Sequence, residues 1–296
     1  MDKYLRNKTI IFIFAFPGLL LFTAFVVYPL IPEIFISLQN HDGFAGNGFV
    51  GLDNYLYILR SEIFWKANLN NLILISVSTF LGLPISFFLA YLLDNVITNK
   101  YLRKFFKITS FLPAVLSVTV ICQLWKAIFQ PGWGLLDSFL KIIGLYDPNI
   151  IVLSDEKLAI WAVAAAFIWQ FIGLNMVIYY TGMKSVPKEY YEAATIDGAT
   201  GLKAATSITL PLMAEVSKFL LVISILGCMA QFAHINLMTQ GGPGDASRTL
   251  VFQIINTAIK ASDFGMGSAT AILFVLQCLI ITFIINNLVA REKVEF

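Results

Sequence analysis

The stretch EYYEAATIDGATGLKAATSITLP, residues 189–211, decides how this sequence is organised. It is rich in alanine and other helix formers, carries two glycines, and separates two long apolar runs. The whole chain of 296 residues is 58% hydrophobic and only 13% charged, whereas a soluble domain carries about 25% charged residues. One protein core does not hide so much apolar surface. The sequence therefore predicts an all-α integral membrane protein in which residues 189–211 connect two spans outside the membrane.

Six apolar runs are long enough to cross a membrane. About 20 helical residues span a hydrocarbon layer of about 30 Å. The first run follows Lys3, Arg6 and Lys8, but it is too long for the apolar part of a signal peptide, and we interpret it as an uncleaved helix. The predicted spans are 9–31, 69–93, 108–129, 158–182, 213–234 and 268–290.

The Lys and Arg residues of the connections predict the orientation of these spans, because cytoplasmic connections carry an excess of both. Four lie in the connection 94–107 and three in 183–207, whereas the longer alternate connections carry two each. We therefore expect both termini in the cytoplasm (N-in and C-in). Residues 1–8 would be a cytoplasmic N-terminus, and residues 9–296 a single membrane domain.

The spans contain few groups that support chemistry. The three cysteines, Cys122, Cys228 and Cys278, lack metal-ligand spacing. The two histidines, His41 and His234, do not suggest a haem or quinone ligand pair, and the chain has no G-x-x-x-x-G-K-[ST] nucleotide loop. We predict no catalytic residues, no metal site and no cofactor. If the chain transports a solute actively, another polypeptide has to supply the energy.

The connection between the fourth and fifth spans has features of a docking surface. KEYYEAATIDG contains good helix formers and ends at Gly198. Small side chains at Ala193 and Ala194 allow another surface to approach closely, and Glu192 can accept hydrogen bonds from it. A plain surface helix–turn–helix, stabilised by ion pairs between successive turns, is the alternative that these residues leave open.

The same connection resembles a loop of a known family of membrane proteins. The pattern E-A-A, three residues, G, nine residues, I-x-L-P is typical of permeases of binding-protein-dependent ATP-binding-cassette (ABC) importers, and every fixed position matches here. The resemblance implies a type I importer domain whose cytoplasmic coupling loop, 184–211, contains a coupling helix that fits into a cleft of an ATPase. The ATPase-coupling residues that it implies are Tyr190, Glu192, Ala193, Ala194, Asp197, Gly198 and Pro211.

Further segments resemble one branch of that family. LMTQGGPGDASRTL, residues 237–250, contains a T-x-G-G-P element similar to that of carbohydrate permeases of the maltose-permease type. A Gly-Gly-Pro-Gly run would also form a turn in any protein. GLDNY, residues 51–55, looks like the N-terminal portion of the same permeases. The chain departs from the maltose permease itself in lacking two extra N-terminal spans and a large periplasmic insert.

The resemblance implies the transmembrane subunit of an ATP-driven importer in the bacterial plasma membrane. Its expected partners are a second six-span permease in a heterodimer, a cytoplasmic ABC ATPase dimer that binds ATP and Mg, and an extracytoplasmic solute-binding protein. That protein would hand over a sugar or oligosaccharide. An importer for another solute, such as glycerol phosphate, and a membrane scaffold that merely docks a soluble partner are the alternatives.

A sugar site needs hydrogen-bonding groups beside an aromatic or apolar face. The fourth span offers WQFIGLNMVIYY and the fifth offers SILGCMAQFAHIN. Neither face contains Lys or Arg, which favours a neutral sugar over a phosphorylated solute. Packing is the alternative, because small and polar residues also hold membrane helices together. The candidate substrate-binding residues are Gln170, Phe171, Leu174, Asn175, Ser224, Gly227, Cys228 and Gln231.

Overall fold

The computed structural model describes residues 8–44, 46–196, 198–199 and 201–288. The chain divides into two units, Met1–Ser61 with Gln253–Leu276, and Glu62–Phe252 with Gln277–Phe296. Most of the described residues are helical. The helices are α1 (8–37), α2 (Asp53–Arg60), α3 (Glu62–Val96), α4 (Lys100–Val115), α5 (Val118–Ile128), α6 (Leu135–Ile142), α7 (Ala159–Met183), α8 (Lys188–Ile196), α9 (Gly201–Leu212), α10 (Ala214–Met229), α11 (Ala233–Met238), α12 (Leu250–Lys260) and α13 (Phe264–Leu288).

The apolar helices agree with six predicted spans. In the described part of the chain, α1, α3, α7 and α13 are each long and apolar enough to cross a membrane. Two bent pairs, α4 with α5 and α9 with α10, bring the number to six if each pair counts as one span. The orientation stays a prediction, and it rests on the distribution of Lys and Arg.

The third predicted span, 108–129, is not one straight helix. α4 and α5 meet at an angle of 100°. Leu116 and Ser117 between them are extended, and the Ser117 hydroxyl accepts a hydrogen bond from the Val120 N–H, which caps the start of α5. The apolar composition continues across this break, so a search for long apolar runs joins the two helices.

The fifth predicted span, 213–234, differs in the same way. α10 ends at Met229, so Gln231 and His234 follow the helix instead of extending its face. At its other end, α10 meets α9 at 76° around Met213. The segment after Met229 contains no Gly or Pro up to Met238, so no helix-breaking residue in the sequence signals the turn.

α7 is the central helix of the second unit. It contacts α3, α4, α5, α10 and α11. Its alanine-rich first half belongs to one apolar cluster, and Met176, Tyr179 and Met183 in its second half belong to another. Gly173 lies between the clusters, where α4 comes so close that an added Cβ would collide with the Ser110 carbonyl oxygen. This close contact holds α7 against α4 at Gly173.

The first unit contains a short hairpin that the all-α prediction did not include. Strands β1 (Gln39–His41) and β2 (Gly46–Phe49) pair antiparallel. Asn54 of α2 donates from Nδ2 to the carbonyls of Ser37 and Gln39, at 2.9 and 3.0 Å. This amide therefore fixes the start of the hairpin at the end of α1.

Candidate functional site

A cavity of about 340 Å³ lies beside the middle of α7. α3, α5, α7, α10 and the segment that follows α10 form its wall. Seven of the eight predicted substrate-binding residues line this one space, whether they act in binding or in packing. They are Gln170, Phe171, Leu174, Asn175, Ser224, Gly227 and Gln231.

Cys228 is the predicted residue that does not line the cavity. It is fully buried, and its thiol donates to the Leu74 carbonyl of α3 at 3.5 Å. Ser224 lies one turn earlier on the same helix face and does reach the cavity. One face of α10 therefore serves two purposes: Ser224 lines the cavity, and Cys228 contacts α3.

A histidine joins the two predicted glutamines. Nε2 of His234 lies 2.9 Å from Oε1 of Gln170, and Nδ1 lies 3.1 Å from Oε1 of Gln231. All three residues are buried, with exposed fractions of 3 to 6%. A neutral imidazole has one donor and one acceptor nitrogen, so with the amides in this orientation the ring donates to the oxygen of one glutamine only. This pairing connects α7 to the segment after α10.

Gln170 also contacts the break of the third span. Its Nε2 donates to the Leu116 carbonyl over a long 3.5 Å. Leu116 lies between the end of α4 and the start of α5. Its carbonyl therefore accepts no hydrogen bond from a following turn of the same helix. The glutamine therefore bridges the broken third span and the segment that follows α10.

Two phenylalanines give the cavity an aromatic surface. Phe167 and Phe171, one turn apart on α7, have ring centroids 5.0 Å apart, and both line the cavity. The His234 ring meets Phe167 edge-on at 5.7 Å. Amides, a hydroxyl and aromatic rings therefore face the same space.

His234 and Ser78 line the cavity but were missed from the sequence. From the sequence, His234 is interpreted only as a possible partner of His41. A lone histidine in an apolar stretch was the signal, because ionisable side chains are rare at membrane depth. Ser78 begins a π-helical turn of α3, Ser78–Gly82, which is wider than an α-helical turn and ends shortly before Pro84. The sequence alone does not distinguish Ser78 from a serine that packs one membrane helix against another.

The predicted coupling residues differ in exposure. Tyr190, Glu192 and Ala193 of α8 are exposed, as is Pro211 of α9. Ala194 is only 4% exposed, so its side chain packs within its own chain, and its coupling role stays a prediction. Asp197 lies outside the described residues.

Gly198 ends α8 in a defined way. Its N–H donates to the Thr195 carbonyl at 3.1 Å, and the Ala199 N–H donates to the Ala194 carbonyl at 2.8 Å. With a φ of +72° at Gly198, these bonds form the Schellman motif that terminates many helices. Among the described residues, an added Cβ would meet no atom within 4 Å. The glycine of the E-A-A pattern therefore has a local structural role, and open space surrounds it.

Comparison with known proteins gives consistent matches. The family described as "Binding-protein-dependent transport system inner membrane component" matches residues 82–294. The probable ABC transporter permease protein YurN of Bacillus subtilis is 32% identical over 90% of this chain and 91% of its own. The sn-glycerol-3-phosphate transport system permease protein UgpA of Salmonella choleraesuis is 30% identical over 98% of this chain and 97% of its own.

One solved structure has a closely similar fold. It belongs to a bacterial ABC transporter involved in the import of the acidic polysaccharide alginate. The TM-score is 0.81 at 23% identity, over 97% of both chains. The likeness therefore covers the fold from end to end.

Proposed function

Because this chain belongs to the family of binding-protein-dependent transport system inner membrane components, we propose that it carries a neutral sugar or oligosaccharide across the bacterial inner membrane. It is a multi-pass permease subunit of an ABC importer, and the solute is the open question. The observation that carries the proposal is the cavity beside α7.

The cavity lining has the chemistry that a sugar requires. Gln170, Asn175, Gln231 and Ser224 offer neutral donors and acceptors, which match the hydroxyls of a sugar ring. Phe171 offers an aromatic face for the C–H surface of the ring. A phosphate or carboxylate would instead be matched by Lys or Arg, which form charge-assisted hydrogen bonds.

Glycerol phosphate is the second candidate solute. The permease UgpA, named for sn-glycerol-3-phosphate transport, is similar over 98% of this chain. A phosphorylated solute would need positive charge from elsewhere in the pathway, which a second permease subunit could provide. The lining of this chain's own cavity favours the neutral sugar.

The energy would come from a partner. We propose that α8 is a coupling helix that docks on a cytoplasmic ABC ATPase dimer, and that ATP and Mg bind there and not to this permease. Tyr190, Glu192 and Ala193 support this assignment because all three side chains are exposed on α8. Ile196 supports it too, as an apolar side chain that is 88% exposed at the end of the helix.

A second six-span permease would complete the pathway. The apolar helix α1 supports a partner in the membrane, because no residue in its most apolar stretch is buried within this chain. A heterodimer would surround the solute on both sides, with the extracytoplasmic binding protein delivering it. A scaffold would need only the cytoplasmic docking surface and no polar cavity.

The proposal is tested by purification and by uptake. Mild affinity purification of the tagged chain from its own membranes should recover a second permease and a P-loop ATPase. Cells should take up a radiolabelled neutral disaccharide or trisaccharide, and unlabelled neutral sugars should compete better than glycerol 3-phosphate. Stronger competition by glycerol 3-phosphate would make the second candidate correct, and a chain recovered alone under several mild detergents would favour the scaffold.

Variants of this chain connect the uptake to the cavity. Gln231→Ala should reduce sugar uptake about fivefold to tenfold, the effect of one buried hydrogen bond, while the complex still assembles. Gln123→Ala is the matched control, because Gln123 is an exposed glutamine of α5 outside the cavity lining. An assembly defect in Gln231→Ala would assign this residue to packing.

A further inference from the structure

We infer that Asn71 and Thr249 are positioning residues that hold the cavity wall in place without lining it. The inference rests on the function proposed for that cavity. It concerns the segment that follows α10, where Gln231 reaches the cavity from irregular backbone and His234 from the first turn of α11. Irregular backbone has no helical hydrogen bonds of its own, and other groups must fix its course.

Asn71 of α3 makes three backbone contacts with one amide. Its Nδ2 donates to the carbonyls of Cys228 and Met229, at 2.9 and 3.2 Å, in the last turn of α10. Its Oδ1 accepts a hydrogen bond at 3.0 Å from the N–H of Leu250, which is the first residue of α12. Helix ends leave these carbonyl and N–H groups without partners inside the helix. With 1% of its surface exposed, Asn71 therefore caps two helices at once.

Thr249 extends this connection to the cavity wall. Its hydroxyl donates to the Gln231 carbonyl at 2.6 Å, and its side chain is fully buried. Thr249 directly precedes Leu250, which Asn71 holds. The contacts form a closed ring from Asn71 through the end of α10 and Gln231 to Thr249 and back.

The ring determines where two cavity side chains point. The Gln231 backbone is held by Thr249, and its Oε1 also accepts from the His234 N–H at 3.3 Å. His234 in turn pairs with Gln170 of α7. A change at Asn71 or Thr249 therefore moves polar groups in the cavity, although neither residue touches that space.

The test measures the position of the wall directly, in membranes that contain the whole transport complex. A cysteine at position 233, in the variant Ala233→Cys, reports on the wall because Ala233 lines the cavity outside the hydrogen-bonded ring. Its alkylation by a small neutral maleimide is followed by mass spectrometry of the labelled peptide. Thr249→Val, which replaces the hydroxyl with a methyl group, and Asn71→Ala should each raise the rate about fivefold.

Two control variants remove similar groups nearby. Asn68→Ala loses an amide on α3 that donates to the Phe64 carbonyl within its own helix. Thr239→Val loses a hydroxyl that bonds Ser247 and Ile235, and not Gln231. Both should leave the alkylation rate at position 233 within twofold of the parent, since neither bond belongs to the ring.

Equal rates in Thr249→Val and in the controls would overturn the inference. If Asn71→Ala does not reach the membrane, Thr249→Val alone decides, because valine keeps the shape of threonine. Labelling needs no solute, so a failure of sugar uptake would count against the proposed function and not against this inference. Where uptake is observed, Thr249→Val should weaken it less in a Gln231→Ala background than alone, whereas additive losses would mean a general packing role.

Discussion

At the scale of single residues, backbone conformation explains one position that a motif alone leaves unexplained. Gly198 belongs to the E-A-A pattern, and a close-docking partner would be a sufficient reason for a glycine there. The φ of +72° and the two hydrogen bonds that end α8 give a second reason that needs no partner. Helix termination requires a residue that tolerates positive φ, whereas close docking requires a residue without a side chain. Substitutions can therefore distinguish the two.

Gly198→Val should abolish most uptake, because a β-branched residue in the left-handed region costs about 1–2 kcal/mol and would unwind the end of α8. Gly198→Asn is the matched variant, since asparagine tolerates positive φ and keeps the helix end. If helix termination is the dominant role, Gly198→Asn retains uptake in a transport assay. Equal loss in both variants, with normal membrane levels, would show that a partner needs the open space.

At the scale of helices, α8 presents one face to its own chain and another outward. Ala194 is buried at 4%, whereas its neighbour Ala193 is exposed. Successive helix residues point about 100° apart, so the two alanines of the motif serve different surfaces. The E-A-A pattern thus combines a residue for attachment to the permease with residues directed away from it.

Enlarging the two alanines should have different consequences. Ala194→Leu should reduce the amount of folded permease in the membrane, because overpacking typically costs about 1–3 kcal/mol. Ala193→Leu should leave the permease level unchanged and reduce the ATPase recovered with it. Quantitative blotting of both proteins after mild purification measures the two effects. Normal ATPase recovery with Ala193→Leu would remove Ala193 from the docking surface.

Helix number and the candidate site were predictable to different degrees. Apolar length revealed six spans, because crossing hydrocarbon needs long apolar helices. It did not reveal the breaks beside Ser117 and after Met229. The first lies in a continuous apolar run, and no Gly or Pro marks the second. Helical spacing correctly identified seven residues that line the cavity. It also included Cys228, which does not line it, and omitted His234, whose partner Gln170 lies 64 residues away in the sequence.

At the scale of the whole molecule, the distribution of Lys and Arg remains the basis for orientation. It predicts that the hairpin of the first unit faces outward and that α8 faces the cytoplasm. Phe44 and Ile196 are 99% and 88% exposed, so each position offers an accessible label.

Phe44→Cys and Ile196→Cys should differ in their reaction with a membrane-impermeant maleimide. In cells or spheroplasts with intact membranes, the cysteine at position 44 should react and the cysteine at 196 should not. After permeabilisation both should react, because both side chains are exposed. The three native cysteines are buried or half-buried and provide a low background. Labelling of position 196 in intact cells would reverse the predicted orientation.

The breaks in the third and fifth spans have a consequence for hydration. Lipid tails offer backbone groups no hydrogen-bond partners, so an interrupted helix at membrane depth must adjoin protein or water. Val118 beside the first break and Gln231 beside the second line the same cavity. Water that enters the membrane domain would therefore gather in the cavity beside the two breaks. Amide hydrogens at the breaks would exchange for deuterium sooner than those of the unbroken α7.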